Sequence, residues 1–234
     1  MPPSPAPLGR FAAIGDLHGE DVRLEGVLTW LSGQGIDALL AVGDLVDGAG
    51  DLDRCCALLT AHDALVVRGN HDRWLLEEPF AHEPGFLTRD TLLFLCALPV
   101  TRRMPTLRGD LMLCHGVGDD DMVRLHPQGQ ETSRAATHAL EVLLADVDLR
   151  LVVGGHTHRR MVRSFARPGG APLHFINPGT LHRGYPASFA VVDLERGQVE
   201  FHEVYGEPGT AVVVEPAEVV SLHGPIEEVI GSRP

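Results

Sequence analysis

The chain has 234 residues, enough for one large domain or two small ones with a substantial core. Acidic residues number 32 against 19 basic ones, a net charge of −13 that argues against non-specific nucleic-acid binding and against docking on an anionic membrane. A hydrophobic content of 44% excludes a disordered chain.

Taken in order, residues 1–9 form a proline-rich extension with no apolar run, so no signal peptide is expected. Arg10 to Ile14 reads as a strand, Glu20 to Leu31 as an amphipathic helix, and Ala38 to Val42 as a second strand. Leu52 to Ala61 is a second helix and Ala64 to Val67 a third strand, and this β-α-β-α-β order predicts a largely parallel, two-sided buried sheet. Leu87 to Leu98 reads as helix, Asp110 to Cys114 as strand, Glu131 to Ala145 as helix and Leu149 to Val153 as strand. The pattern then changes to four short strands, Met161 to Phe165, Leu173 to Ile176, Ser188 to Leu194 and Gln198 to Val204, spaced for antiparallel pairing. They look like a β-rich layer added to the α/β first half. The expected domain therefore runs over 10–205, with 206–234 as a tail that lies across it or is partly disordered. The most apolar stretch, Leu92 to Val100, is far short of the ~20 residues that a membrane-spanning helix needs. Four cysteines with no CxxC pair argue against a disulfide framework and for a reduced, cytoplasmic setting.

Histidine is abundant, at 13 residues. Five short blocks share one arrangement, in which an apolar strand is followed by glycine and metal-ligand side chains. They are Gly15-Asp16-Leu17-His18-Gly19, Gly43-Asp44-Leu45-Val46-Asp47, Gly69-Asn70-His71-Asp72, Cys114-His115-Gly116 and Gly154-Gly155-His156-Thr157-His158. Ligands in open α/β sheets bind beyond the carboxyl ends of strands, so all five blocks should gather at one edge. If the chain is extended there, the two-residue period aims Asp16 with His18, and His156 with His158. Together with Asp44, Asn70 and His115 these make seven oxygen and nitrogen ligands, too many for one tetrahedral ion and suited to two with a bridging carboxylate. The mixture of imidazole and carboxylate with no thiolate fits Mn, Fe, Zn, Co or Ni, with Mn first, better than an all-oxygen Mg or Ca cage.

The five blocks in this order resemble the calcineurin-like metallophosphoesterase superfamily, and Asn177-Pro178-Gly179-Thr180 resembles the segment that closes the core in its small bacterial phosphodiesterase branch. The resemblance implies an α/β fold of two mixed β-sheets packed as a sandwich and flanked by helices, in four layers α/β/β/α. It implies two divalent metal ions, the first held by Asp16, His18 and His158, the second by Asn70, His115 and His156, with Asp44 bridging. His71 would be a catalytic histidine that is not a ligand and faces the leaving group. Asp47 is assigned as its orienting acceptor, because that position resembles the histidine partner in related phosphatases. Two-metal chemistry then predicts in-line attack of a metal-activated hydroxide on the phosphorus of a small phosphoester. The metal pair would make the site locally positive inside an acidic protein.

Other residues carry plainer expectations. Asp72 reads as the N-cap of a helix starting at Arg73, Asp119 to Asp121 as a solvated acidic loop, and Cys114 as strand packing. The remaining eight histidines, His174 and His182 among them, read as ordinary strand or surface residues. The arginine that follows this motif in the superfamily's protein and diadenosine tetraphosphatases is replaced by Gly48, Ala49 and Gly50, with Arg54 or Arg68 as substitutes for gripping phosphate. That departure favours the phosphodiesterase-like branch, while His71 keeps phosphomonoesters and nucleotides open. The rival reading is a non-catalytic metal-binding scaffold of the same fold. No feature of the sequence specifies an oligomeric state.

Overall fold

The computed structural model describes residues 6–77, 87–129, 133–206 and 209–224. The chain order is β1 (Arg10–Ile14), α1 (Asp21–Leu31), β2 (Ala38–Ala41), α2 (Leu52–Ala61), β3 (Leu65–Val66), α3 (Asn70–Glu77), α4 (Arg89–Ala97), β4 (Arg102–Thr106), β5 (Gly109–Leu113), α5 (Arg134–Ala145), β6 (Leu149–Val153), β7 (Met161–Arg167), β8 (Gly170–Asn177), β9 (Ser188–Asp193), β10 (Gln198–Tyr205) and β11 (Val213–Ser221).

Two mixed sheets result. One has the order β11-β10-β9-β1-β2-β3 and the other β4-β5-β6-β8-β7. The β1-β2-β3 pairs are parallel, as the β-α-β-α-β order predicts, and so are β5-β6-β8; the remaining neighbours are antiparallel. Both sheets are apolar on both faces because each is covered twice. Phe11, Leu40, Val42, Leu113, Val153, Ile176 and Phe201 fill the space between the sheets. Ile14, Leu24, Leu28, Cys55, Leu59 and Phe189 belong to the core on the outer face of the first sheet, under α1, α2 and α4. Leu140 and Leu143 of α5 pack with Phe165, Leu173 and Phe175 on the outer face of the second. The architecture is therefore the four-layer α/β/β/α sandwich.

The late strands are not an added layer. β7 and β8 enter the second sheet, while β9 and β10 return to the first beside β1. Two strands escaped the sequence reading, and both lie at sheet edges. β4 carries two arginines and a proline, and β11, within the segment read as a tail, is exposed along most of its length. An edge strand has one neighbour and no fully buried face, so it lacks the apolar alternation that marks an inner strand. The start of the helix read as Glu131 to Ala145 lies outside the described residues, and α5 is described from Arg134, capped by Ser133. Most of the N-terminal extension and the end of the tail are also outside them. Among the described residues no helix is long and apolar enough to cross a membrane.

Candidate metal centre

The five motif blocks follow β1, β2, β3, β5 and β6, and backbone hydrogen bonds hold their loops together. Leu17 and His18 donate their N–H groups to the Asp44 carbonyl at 2.9 and 2.8 Å, and Gly155 donates to the His115 carbonyl at 2.7 Å. Asn177 donates its side-chain amide to the Gly155 carbonyl at 2.8 Å, and the Thr180 hydroxyl donates to the Asp16 carbonyl at 2.7 Å. The Asn-Pro-Gly-Thr segment thus ties the first block to the fifth.

The conformation expected within the blocks is not the one adopted. His18, Asp44, Asp47, His156 and His158 all have left-handed φ, from 47 to 66°, so each aspartate–histidine or histidine–histidine pair converges through tight turns and not through an extended period of two. Such backbone costs a non-glycine residue on the order of 1–3 kcal/mol and persists where the surroundings over-determine it. Glycine is needed where backbone passes the carboxylates. A Cβ on Gly69 would lie 2.1 Å from Asp44 Oδ1, and one on Gly155 would lie 2.5 Å from Asp16 Oδ1.

Two ligand clusters result, Asp16, His18, Asp44 and His158 in one, and Asp44, His115 and His156 in the other, with candidate ligand atoms inside each group within 4.8 Å of one another. Asp44 belongs to both. Asn70 joins the second, its Oδ1 2.9 Å from His115 Nε2. Asp16, His18, Asp44, Asn70 and His115 are buried, whereas His156 and His158 are partly exposed.

The donor set suits cations. His18 donates Nδ1–H to the Val46 carbonyl at 2.8 Å, and His115 donates Nδ1–H to the Val42 carbonyl at 2.9 Å, so both rings aim Nε2 into the clusters. His18 Nε2 faces His158 Nε2 at 3.2 Å, and His158 Nε2 lies 3.1 Å from Asp16 Oδ2. His115 Nε2 faces Asp44 Oδ2 at 3.2 Å and His156 Nδ1 at 3.3 Å. Electron-rich atoms at these separations need positive charge between them. Burial lowers the His18 pKa against the pull of Asp44 and Asp16, which keeps its ring neutral and its Nε2 open. Burial also works to lower His115, but the Asp44 and Asp16 charges outweigh it and hold that ring at about 9. A proton therefore occupies the second cluster where a metal ion would bind. The residues fit divalent metal ions.

His71 sits beside the first cluster, its ring 5.0 Å from that of His18 and edge-on to it. Its Nδ1–H donates to Asp47 Oδ2 at 2.6 Å. Trp74 packs against the same ring at 4.8 Å. His182 lies 5.1 Å from His18, and Tyr185 lies 4.6 Å from His158, so His182 is not an ordinary surface histidine. Of two tryptophans and two tyrosines in the chain, one of each stands at the site.

Three further sequence expectations change. Asp72 does not cap a helix that starts at Arg73; it lies in the first turn of α3, fully buried, and accepts the N–H groups of Gly69 at 2.9 Å, Leu45 at 2.8 Å and Val46 at 3.3 Å. It clamps the second block to the third. Asp121 is not merely solvated, since both its oxygens accept from Arg73, at 2.7 and 3.1 Å. Arg54 is committed to Asp21 at 2.8 Å and Glu25 at 2.6 Å and so is not placed to grip phosphate. Cys114 is buried strand packing, its thiol pushed up to about 12 by burial.

Solved structures share this fold. A metallophosphoesterase from Sphaerobacter thermophilus superposes with a TM-score of 0.66 at 22% identity, over 86% of this chain and 89% of that one. Yfce, a phosphoesterase from E. coli, gives 0.51 at 18% identity, over 82% and 91%. Vps29 from Chaetomium thermophilum gives 0.53 at 17% identity, over 90% and 95%. No curated protein sequence matches the chain. The calcineurin-like phosphoesterase family model matches residues 9–160, a span that takes in all five blocks, and the chain belongs to that family, as a metal-dependent phosphoester hydrolase.

Proposed function

We propose that the protein hydrolyses a small phosphodiester or phosphomonoester at a pair of divalent ions, Mn²⁺ foremost. The observation that carries this reading is Asp44, whose carboxylate is common to both clusters, as a bridging ligand must be. Asp16, His18 and His158 would hold one ion, and Asn70, His115 and His156 the other. Such a pair supplies an ionised water at neutral pH and neutralises charge on the phosphoryl oxygens.

The chain's own groups do the rest. His71 Nδ1–H donates to Asp47, which fixes the ring's orientation, and its Nε2 would serve the departing oxygen. The His71 backbone N–H holds Asp44 Oδ1 at 2.9 Å, and the His156 N–H holds both oxygens of Asp16 at 3.1 Å, so the carboxylates are aimed before any ion arrives. A net charge of −13 supports a small substrate, not nucleic acid or membrane, and the four free cysteines support a cytoplasmic location.

The test is hydrolysis of bis-p-nitrophenyl phosphate and p-nitrophenyl phosphate with Mn²⁺, Fe²⁺, Zn²⁺, Co²⁺ or Ni²⁺, for the wild type and Asp44→Asn. Metal-dependent turnover that Asp44→Asn abolishes is expected, and the preferred ester assigns the branch. No turnover with any of these ions would favour a non-catalytic scaffold.

A further inference from the structure

Trp74 and Tyr185 stand beside the first cluster without belonging to any of the three apolar cores, whereas Trp30, the other tryptophan, packs on Phe189 in the core at 5.5 Å. Neither the Tyr185 hydroxyl nor the Trp74 indole N–H has a hydrogen-bond partner among the described residues, and Tyr185 is 46% exposed. Both rings join a continuous row. Trp74 lies 4.8 Å from His71, His71 5.0 Å from His18, His18 5.1 Å from His182 and His182 5.7 Å from Tyr185, centroid to centroid. Tyr185 closes the row on His158 at 4.6 Å, the two rings meeting at 81° and not face to face.

Tyr185 is exposed but its loop is fixed. Leu181 donates its N–H to the Asp16 carbonyl at 3.0 Å, and Arg23 donates to the Leu181 carbonyl at 2.9 Å. Arg183 gives its backbone N–H and Nε–H to Glu20 Oε1 at 2.9 and 2.7 Å, and Nη2–H to Oε2 at 3.0 Å. Glu20 is buried and directly follows the first motif block, so this pair binds the loop between β8 and β9 to the block that carries Asp16 and His18. Tyr185 N–H then closes a turn on the His182 carbonyl at 3.1 Å. Trp74 is fixed by α3, one turn beyond His71.

We propose that Tyr185 and Trp74 are specificity-determining residues that receive a planar ring carried by the phosphoester, with Glu20 and Arg183 as positioning residues for Tyr185. The inference deepens the phosphoester reading above and rests on it for the phosphate half of the ligand. A planar ring is the chemistry that fits an open aromatic face held in place, because offset stacking asks for no hydrogen-bond partner and a tyrosine surrenders only two χ angles on contact. Two kinds of ester carry such a ring, one of a nucleoside and one of an aryl alcohol.

The experiment is steady-state kinetics of the Mn²⁺-loaded full chain on matched esters. Adenosine 5′-monophosphate and its methyl ester are set against ribose 5-phosphate and its methyl ester, which share the ester oxygen and lack the base. 1-Naphthyl phosphate is set against phenyl phosphate for the aryl source. The wild type is expected to prefer the larger planar member of at least one comparison by about tenfold in kcat/KM, chiefly through KM, and that comparison assigns the source. Tyr185→Ala and Trp74→Leu should each cut that preference severalfold, Tyr185→Phe should keep it, and Glu20→Gln should lose part of it as the loop loosens. The preference is a ratio within one variant, so general damage to the fold does not mimic its loss. Calorimetric titration with adenosine and 1-naphthol, which have no phosphate to hydrolyse, reads the ring contact without turnover. Hydrolysis of these esters with no preference for a planar group, or a preference that survives Tyr185→Ala, would overturn the inference and leave the proposed function standing. Absence of turnover together with Tyr185-dependent binding of adenosine or 1-naphthol would overturn the proposed function alone. Neither turnover nor binding would overturn both.

Discussion

His71 and Asp47 are hydrogen-bonded, Nδ1 to Oδ2, at 2.6 Å, although Asp47 lies in the loop after β2 and His71 in the first turn of α3. Both side chains are about one-third exposed, and Asp47 reaches the ring from a left-handed backbone at φ 63°. The pair fixes which ring nitrogen faces the cleft. His71→Ala is expected to lower kcat by ~10²–10⁴-fold, the usual worth of a general acid. Asp47→Asn keeps the shape and removes the charge, so a smaller loss of about tenfold is expected, together with a displaced pH–rate profile. Steady-state kinetics on the better p-nitrophenyl ester would read both, and an Asp47→Asn enzyme with wild-type turnover and pH profile would remove Asp47 from the mechanism.

Asp44 is the most exacting position. Asp44→Asn withdraws a charge shared by both clusters and should weaken metal binding by more than the ~10–100-fold that outer-shell partners alone supply. Gly69→Ala should act on the same carboxylate from behind, because its Cβ would stand 2.1 Å from Asp44 Oδ1. Metal titration of both variants checks this; retention of two ions by Asp44→Asn would contradict the shared-ligand reading.

Metal binding should depend on pH. His115 is held at about 9, where burial opposes but Asp44 prevails; Asp44 is held at about 2, where burial opposes but His115 prevails. At neutral pH a metal ion must therefore displace a proton from His115. Apparent affinity should rise about tenfold per pH unit for each proton displaced, up to roughly pH 9. Calorimetry in buffers of different ionisation enthalpy measures that proton directly, and its absence at pH 7 would refute the assignment.

The same interaction has a stability signature in the metal-free protein. The raised His115 pKa contributes stability fully present below 6.5 and lost as pH rises through about 9. The lowered Asp44 pKa contributes stability present above 3.8 and lost as pH falls through about 2. Asp72 is pushed up to about 7, burial first and the Asp44 charge second, so it too favours the fold at lower pH and loses that contribution as pH rises through 7. The metal-free melting temperature should be highest near pH 4, decline as Asp72 ionises toward pH 7, and fall further toward pH 9. A flat profile across that range would show that the pair does not form.

Asp72→Ala would strip the shared acceptor from Gly69, Leu45 and Val46, leaving buried N–H groups that each cost ~1–3 kcal/mol when unmet. A loss of at least ~3 kcal/mol in urea unfolding is expected, with weaker metal binding as the second and third blocks separate. Asp72→Asn, which keeps an acceptor oxygen, should recover part of both.

The sequence by itself determined the ligand chemistry and its place at strand ends. Apolar runs read as β1 and β6, and the helix period of α2, match the structure residue for residue, because burial on both sides imprints a local pattern on the inner elements. The glycine beside each ligand carried the rest of that signal. What only the tertiary structure decided are the relations between distant segments that no motif carries: that Asp72 clamps two loops, that His182 and Tyr185 join the site, and that Arg124 rests on His156. The edge strands β4 and β11 belong with these, since pairing to a neighbour defines them and not a buried face. Local periodicity records which side of a residue is buried. Contacts across many tens of residues depend on sheet order and register, which are set when both faces of both sheets find apolar cover at once.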